Sequence, residues 1–482
     1  MTDPLALLPL AAAAGGGHID DIDAAALVAA GLTLLQRSAP LVRALAGRRA
    51  GVLLPTSPAF LTALAASEGR GAVLMNPLAA PHELSYQIAD ADVGAVFTNA
   101  ALAARLPESV PRVLLDDAPR SATVLAGGAS RGVDLGSHFP LTLEGDPDVA
   151  GRDEEAAIVY TSAMSGRPLG AILTHRNLLA DARATRQAAV LDRDHHVLAA
   201  LPFSHLFGLV VSGIGALIAG ARVSTMPRFN PARALEQLES GVTMFVGVPA
   251  MYIALLGVIE RRGTPFHRGA LRTCICGGAP LDPAVQDRWF DATGVELRQG
   301  YGLTEASPVA LFNRVGLPNV RGTLGVPWPG VDVSIRQPGS DRGCRDDEVG
   351  EICIRGETVF AGYVRSGAAD HASDGLAVRD GWLRTGDLGV RRGDGTVAFM
   401  GLCKSMFTRN GFNIYPRELE CAVAELQGVE SVAVRARPDP AHENEIELTV
   451  RGTVTEAAVR DWCEQRLSAY KQPTALIVER GG

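Results

Sequence analysis

Lysine is almost missing from this sequence. The chain has 482 residues and 45 basic residues, and only Lys404 and Lys471 are lysines. Any chemistry that needs a lysine therefore has two candidates. The net charge of −8 argues against a general nucleic-acid-binding protein, because such proteins are more often basic.

Other features are also scarce. Seven cysteines are scattered without a Cys-x-x-Cys pair, which disfavours a disulfide framework or a zinc site and predicts buried or inert thiols. No run of about 18 apolar residues is free of charges and turn signals, so we expect no membrane-spanning segment. Residues 1–17 are apolar, but Asp3 stands where a signal peptide has positive charge, and we expect a mobile or weakly helical start. These absences predict a cytoplasmic protein.

Apolar runs alternate with Ala-rich helical patterns from about residue 20 onward. The segments that resemble strands are residues 50–54, 71–75, 93–98, 156–161, 197–201, 243–248 and 271–276. This alternation predicts an α/β fold in which parallel sheets are covered by helices.

The pattern changes in the second half of the chain. Residues 322–363 are rich in Gly, Pro and short alternating strands, which indicates a β-rich subdomain. A compact α+β pattern follows at the C-terminal end. We therefore expect a large N-terminal domain of residues 1–402 and a small C-terminal domain of residues 403–482.

The first candidate motif is residues 160–170 (YTSAMSGRPLG), which follow a predicted strand. Backbone N–H groups and hydroxyls in such a loop can cradle phosphate. The loop is not of the Walker type, because the sequence has no GxxxxGK[ST]. Taken alone, a Ser/Gly surface turn explains it equally well.

The second motif is residues 300–308 (GYGLTEASP). Tyr301 can stack on a base, Thr304 can bond a phosphate or carboxylate oxygen, and Glu305 can hold Mg²⁺. A turn with a capping Thr is an equally good explanation of this motif by itself.

Two further motifs lie toward the C-terminus. In residues 382–388 (WLRTGDL), Asp387 at a strand end can accept hydrogen bonds from ribose hydroxyls, although an Asp in a surface turn is as good an explanation. Residues 401–405 (GLCKS) lead to residues 410–420 (NGFNIYPRELE), which begin the predicted small domain.

In this order and spacing, the motifs resemble those of the adenylate-forming superfamily: acyl- and aryl-CoA synthetases, luciferases and peptide-synthetase adenylation domains. The resemblance extends to residues 201–208 (LPFSHLFG), 246–252 (VGVPAMY) and 276–281 (CGGAPL). It implies an ATP-dependent acid–thiol ligase, an acyl-CoA synthetase that forms acyl-AMP from a fatty or aromatic acid and transfers the acyl group to CoA.

The resemblance also implies roles for individual residues. Thr304, Glu305 and His205 would be catalytic, with Glu305 as the Mg²⁺ ligand. The residues implied in binding are Thr161, Ser162, Ser165 and Gly166 at the phosphates, Gly278, Ala279 and Tyr301 at adenine, Asp387 at ribose, Lys404 at the hinge, and Gly411 and Phe412 at the CoA tunnel. The ligands implied are ATP, Mg²⁺, CoA and a small-molecule carboxylic acid, and a homodimer is left open.

Several positions depart from the family pattern. In the phosphate loop, Ala163 and Met164 replace a glycine and a hydroxyl residue, and Leu169 replaces a lysine. Leu402 replaces an arginine that contacts ribose in the family. These changes remove donors and positive charge from the predicted nucleotide site.

The segment 469–473 (AYKQP) matches a Tyr-Lys-x-Pro segment of the family. The family continues to a Pro-Lys-Thr-x-x-Gly-Lys segment whose last lysine bridges the carboxylate and the α-phosphate, and this sequence ends before it. We expect Lys471 to be a surface lysine. The departures keep two alternatives open: an impaired homologue that binds adenylates or acyl-CoA, and a ligase that loads a carrier-protein phosphopantetheine.

Overall fold

The computed structural model describes residues 7–67, 71–136, 153–161, 167–364, 376, 378–403, 407–414 and 416–480. Two nine-stranded sheets and a smaller antiparallel sheet form a large unit, and a three-stranded sheet with helices forms a small unit at the C-terminal end. The predicted α/β fold is confirmed.

The first large sheet has six parallel strands, from Leu297–Gly302 to His18–Ile19, with antiparallel strands at both edges. In spatial order its strands are Val326–Pro327, Val309–Phe312, Leu297–Gly302, Thr273–Cys276, Met244–Gly247, His196–Ala199, Arg222–Thr225, His18–Ile19 and Ile22–Asp23. Its central strands are buried on both faces, as expected of parallel strands between helical layers.

The second large sheet has five parallel strands, from Glu155–Thr161 to Arg112–Leu115. In spatial order its strands are Gly362–Tyr363, Leu169–Thr174, Glu155–Thr161, Ala72–Leu74, Arg49–Leu53, Val93–Thr98, Arg112–Leu115, Ser121–Ala126 and Ala129–Asp134. The strands predicted between residues 50 and 276 are all present in these two sheets, with small shifts at their ends.

The predicted β-rich subdomain is an antiparallel sheet that extends beyond residue 363. Its strands are Val331–Arg336, Val349–Gly356, Trp382–Arg391, Val378–Arg379 and Val397–Leu402. Two short strands that fall within the predicted range of residues 322–363, Val326–Pro327 and Gly362–Tyr363, instead complete the edges of the two large sheets.

The helices that cover the sheets begin where their sequences favour it. Pro58, Pro231, Pro249 and Pro283 occupy the first turn of their helices, where the missing N–H costs nothing. The α-helices are Leu7–Gly15, Ala24–Arg37, Ala39–Leu45, Pro58–Ala66, Pro81–Asp90, Ala100–Ala103, His175–Ala188, Gly215–Ile218, Pro231–Ser240, Pro249–Arg262, Pro283–Thr293, Pro416–Ala424 and Glu456–Arg466. Among the described residues, a π-helix spans Phe207–Ile214, and two 3₁₀ turns span Thr304–Ala306 and Ala469–Lys471.

The described part of the N-terminus is helical, which is one of the two alternatives expected for residues 1–17. Residues 7–15 form a helix whose Leu8 and Ala12 side chains are buried in the main core. The Leu8 N–H donates to Nδ1 of His175, 3.3 Å away. The segment is therefore part of the fold rather than a mobile start.

The small unit contains a hairpin and a sheet. Strands Phe407–Arg409 and Phe412–Ile414 form the hairpin, and the sheet has the strands Val429–Asp439, Glu443–Gly452 and Ala475–Arg480. Its buried apolar residues form a cluster separate from the main core. The domain boundary at residue 402 stays a prediction.

Among the described residues, no single helix is long and apolar enough to cross a membrane. Helices Ala24–Arg37 and Ala39–Leu45 together have the length and composition of a membrane span, but the chain bends by 92° between them. The first helix of this pair is largely buried in the core.

Candidate active site

A cavity of about 1660 Å³ is lined by residues of both large sheets, the small antiparallel sheet and the C-terminal unit. Strand ends and the loops that follow them supply most of its polar groups. This is the usual place for a ligand site in an α/β fold.

Glu305 lies in the 3₁₀ turn that follows strand Leu297–Gly302, with an exposed fraction of 5%. Its Oε1 accepts hydrogen bonds from Thr161 Oγ1 (3.2 Å) and Tyr363 Oη (2.8 Å). Burial raises the pKa of the Glu305 carboxyl, and the two hydroxyl donors oppose that rise. A buried carboxylate with hydroxyl partners at a cavity wall is a suitable ligand for a hard cation.

Tyr301 and Asp387 meet across two different sheets. The Tyr301 hydroxyl donates to Asp387 Oδ2 at 2.6 Å. Burial, with smaller contributions from the charges of Glu351 and Glu305, raises the pKa of Asp387 to about 6. The two residues that the sequence assigned to adenine and ribose are therefore neighbours in one wall of the cavity.

His205 presents its ring to the cavity just before the π-helix Phe207–Ile214. Its Nδ1 accepts the Phe207 backbone N–H at 3.3 Å. The residue is exposed to the cavity, and partial desolvation by the surrounding walls lowers the pKa of the imidazole. The ring is therefore neutral near pH 7, and Nε2–H is its donor.

Glycines shape the wall after strand Thr273–Cys276. A Cβ on Gly277 would lie 3.0 Å from the Phe207 ring, and Gly278 has φ +80, which favours glycine. Ala279 also lines the cavity. The backbone here is bare enough for a flat ligand to approach closely.

The C-terminal hairpin meets the cavity at its turn. Asn410 and Gly411 both have positive φ (51° and 76°), as a two-residue hairpin turn requires. A Cβ on Gly411 would lie 3.0 Å from Val248 Cγ1, so the turn packs closely on the large unit. The Phe412 ring stacks on Tyr470, with centroids 4.3 Å apart, and both residues line the cavity.

The two leucines that replace family cations also line the cavity. Leu169 begins its strand opposite Thr161 and has an exposed fraction of 4%. Leu402 pairs with Asp387 in the small antiparallel sheet. Both positions are therefore next to residues assigned to the nucleotide, and both carry aliphatic side chains.

Most of the predicted site residues come together around this cavity. Those that line it are Thr161, His205, Gly278, Ala279, Tyr301, Thr304, Glu305, Asp387, Gly411 and Phe412. Ser162, Ser165, Gly166 and Lys404 lie outside the described residues.

Two residues of the site were missed by the sequence analysis. Tyr363 reaches Glu305 because the short strand Gly362–Tyr363 joins the second large sheet, and no local pattern signals that pairing. Lys471 lines the cavity with an exposed fraction of 4%, so the expectation of a surface lysine was wrong. The signals in the sequence were the rarity of lysine and the match of residues 469–473 to a family segment, and neither indicates that the side chain is buried.

The fold and the cavity define an α/β protein with a large ligand-binding cavity at its strand ends, and the comparisons with known proteins name its family. Residues 39–364 match the model of the family described as AMP-binding enzyme. The chain therefore belongs to this family, and the predicted membership of the adenylate-forming superfamily is confirmed.

Individual relatives agree with this assignment. The chain is 32% identical over 438 residues to a feruloyl-CoA synthase of Amycolatopsis sp, covering 89% of this chain and 84% of the relative. It is 28% identical over 462 residues to a long-chain-fatty-acid–CoA ligase of Bacillus subtilis strain 168, covering 89% of this chain and 81% of the relative. A solved malonyl-CoA ligase, a ternary product complex with methylmalonyl-CoA and AMP bound, is 27% identical, with a TM-score of 0.79 over 96% of this chain and 95% of that one.

Proposed function

We propose that this chain is an acyl-CoA synthetase, which activates a carboxylic acid with ATP as acyl-AMP and transfers the acyl group to CoA. The observation that carries the proposal is the convergence of Glu305, the Tyr301–Asp387 pair and His205 on one cavity. Membership of the AMP-binding enzyme family supports it.

The nucleotide would bind along the wall that holds Tyr301 and Asp387. The Asp387 carboxylate would accept hydrogen bonds from the ribose hydroxyls, and Tyr301 and the bare backbone at Gly278 would flank adenine. Thr304 would donate to a phosphate oxygen, and Thr161, whose hydroxyl donates to Glu305, would lie beside the phosphates. These roles come from the resemblance, and the positions of the side chains around the cavity are compatible with them.

Glu305 fits Mg²⁺, because its buried carboxylate accepts from two hydroxyls and leaves lone pairs for a cation. The ion, when bound, would neutralise charge on the transferring phosphates. Tyr363 and Thr161 would hold the Glu305 carboxylate in a fixed orientation.

His205 would orient the acid. Its Nε2–H would donate to the substrate carboxylate, and the neutral ring would leave that carboxylate its charge for attack. In the first step a carboxylate oxygen bonds the α-phosphorus as the bond to pyrophosphate breaks. In the second step a thiol sulfur bonds the acyl carbon, AMP leaves with the electron pair, and the thiol proton passes to solvent.

The acid is proposed to be fatty or aromatic. Phe207, Phe229, Met251 and Trp328 are among the residues that line the cavity, and apolar lining favours burial of an apolar chain or ring. The names of the feruloyl-CoA synthase and the long-chain-fatty-acid–CoA ligase indicate acids of these two kinds.

The test is acid-dependent release of pyrophosphate from Mg·ATP across a panel of fatty and aromatic acids, with CoA present. Release with one class of acid, together with formation of its CoA thioester, supports the proposal and identifies the substrate. A carrier-protein phosphopantetheine, added in place of CoA, decides between the two acceptors. The absence of release with every acid contradicts a working ligase.

Leu169 favours a second candidate function, a homologue that binds acyl-adenylates but activates acids slowly. Its buried aliphatic side chain provides no charge where the family has a phosphate-binding lysine. Tight binding of a non-hydrolysable acyl-adenylate mimic, without pyrophosphate release, would distinguish this function from that of a working ligase.

We also propose that residues 1–402 and 403–482 are separate domains that move relative to each other. The separate apolar cluster of the small unit supports this division.

A further inference from the structure

Lys471 is held in a buried ion triad. Its Nζ lies 2.7 Å from Glu418 Oε1 and 3.1 Å from Glu83 Oε1. The exposed fractions of the side chains are 5% for Lys471, 7% for Glu418 and 12% for Glu83. Contacts that are shielded from water in this way are much more sensitive to the loss of one partner than surface ion pairs are.

One of the two bonds crosses between the units. Glu418 lies in helix Pro416–Ala424 of the small unit, which also contains Lys471. Glu83 lies in helix Pro81–Asp90 of the large unit. A movement of the small unit away from the large one would break the bond to Glu83 and keep the bond to Glu418.

The same segment is tied to the hairpin at the cavity. Tyr470, the residue before the lysine, stacks on Phe412 with an angle of 22° between the rings. Arg409 Nη1 donates to the Tyr470 carbonyl at 3.1 Å. The lysine and the hairpin therefore move together, and an anchor on the lysine is also an anchor on the hairpin.

We propose that Lys471 is a positioning residue whose bond to Glu83 holds the small unit in the orientation that brings the hairpin, residues 407–414, to the cavity. The inference rests on the proposed function, because it assigns this orientation to acyl transfer from AMP to the thiol. The resemblance implies that Gly411 and Phe412 lie at the CoA tunnel, so the orientation that brings the hairpin to the cavity is assigned to the step that uses CoA. The triad thus favours the second step over the first.

The sharpest variant is Glu83→Gln. Glu83 Oε2 also accepts the Ala80 N–H at 2.7 Å at the start of its helix, and glutamine keeps that bond. The substitution therefore removes the charge opposite Lys471 with little effect on the helix. The matched control is Glu456→Gln, which removes one partner of the exposed pair with Arg460 in the same small unit.

Three measurements test the inference on these variants. They are single-turnover thioester formation from pre-formed acyl-adenylate and CoA, acid-dependent pyrophosphate release, and amide hydrogen exchange without substrate. For Glu83→Gln we expect thioester formation to slow about tenfold, the effect of losing one charge-assisted bond, with pyrophosphate release as in the control. Exchange should quicken in residues 407–412 and in the facing segment around Val248.

The opposite results overturn the inference. Thioester formation and exchange in Glu83→Gln that match those of Glu456→Gln mean that the triad does not set the orientation. Equal slowing of both half-reactions means that the lysine has only a structural role. If the wild-type protein converts no acid, the proposed function fails, and hydrogen exchange alone still decides whether Glu83 anchors the small unit. Lys471→Met should quicken exchange in the same segments, and unchanged exchange in that variant would also overturn the inference.

Discussion

Leu402 lies directly opposite Asp387 in the antiparallel pair formed by strands Val397–Leu402 and Trp382–Arg391. The aliphatic side chain offers the carboxyl no positive charge from that position. Burial therefore dominates, and the pKa of Asp387 is raised to about 6. The acid proposed to bind ribose is close to its titration point at mildly acidic pH.

The first prediction concerns pH. An ionised Asp387 accepts bonds from ribose hydroxyls better than a protonated one, so AMP affinity should fall as the pH drops below about 6. The loss should approach about tenfold per pH unit once the carboxyl is protonated. Titration calorimetry with AMP between pH 5 and pH 8 measures this. Constant affinity over that range would contradict the role of Asp387.

The same shift has a consequence for stability, and its sign is opposite to that of a salt-bridged carboxylate. The folded chain binds the Asp387 proton more tightly than the unfolded chain, whose pKa is near 3.8. The contribution of Asp387 to the free energy of unfolding is therefore largest below about pH 4, and this contribution is lost as the pH rises through about 6. The change is roughly 3 kcal/mol for a shift of about two units. Asp387→Asn should remove this pH dependence from urea unfolding curves, and curves that keep it would contradict the raised pKa.

The second prediction is that Leu402→Arg lowers the pKa of Asp387 and strengthens AMP binding by about tenfold, the gain expected from one charge-assisted contact. Because the Asp387 pKa is lower in this variant, the pH at which AMP affinity begins to fall should also be lower. Calorimetry at several pH values measures both effects.

Two control variants test whether the gain comes from a positive charge at residue 402. One tests the effect of side-chain shape, and the other tests the effect of the protein's net charge. Leu402→Met changes the shape without adding charge, and Met400→Arg adds the same charge at a residue that is 53% exposed on the same strand. An equal gain in Met400→Arg would show that the effect is general electrostatic attraction rather than a contact at residue 402.

The repeating part of the fold was predictable from the sequence, because the strands at residues 49–53 and 93–98 are short apolar runs between helical patterns. The burial of Lys471 was not, since it depends on Glu83, which is 388 residues away in the chain. The Tyr363–Glu305 bond was missed for the same reason. Sequence motifs located the residues near the reacting groups, whereas long-range pairings decide which side chains hold them.

The third prediction is that Glu305→Gln lowers the rate of acid-dependent pyrophosphate release about a hundredfold or more, because the metal charge it is proposed to hold is worth several kcal/mol to the transition state. The amide oxygen can still accept from Tyr363 and Thr161, so the fold should be kept. Burial raises the Glu305 pKa, and removal of this charge should leave the melting temperature unchanged or higher. Glu260→Gln, in an exposed pair with Arg288, is the control, and equal rates in the two variants would exclude Glu305 from the metal site.

The fourth prediction is that Leu169→Lys increases pyrophosphate release. Residue 169 lines the cavity beside Thr161, and a lysine there can extend its amine toward the phosphates while its stem stays buried. We expect about a tenfold gain in kcat/KM for ATP, with a modest loss of stability from the buried stem and charge. Leu169→Met is the control for side-chain shape. A rate that stays at the level of Leu169→Met would show that the missing lysine does not limit the first step.

The last prediction uses two glycines with nearly the same backbone conformation. Gly411 has φ +76 and packs on Val248, whereas Gly395 has φ +83 with open space around its Cα. Alanine costs about 1–2 kcal/mol of backbone strain at either position, but only at Gly411 does the new methyl group meet the large unit. Gly411→Ala should therefore lift the hairpin from Val248 and slow thioester formation from acyl-adenylate about tenfold, while pyrophosphate release stays near the wild-type rate. Single-turnover kinetics of both half-reactions, measured alongside Gly395→Ala, separate strain from contact. If the two alanine variants behave alike, the close approach of the hairpin to Val248 has no part in acyl transfer.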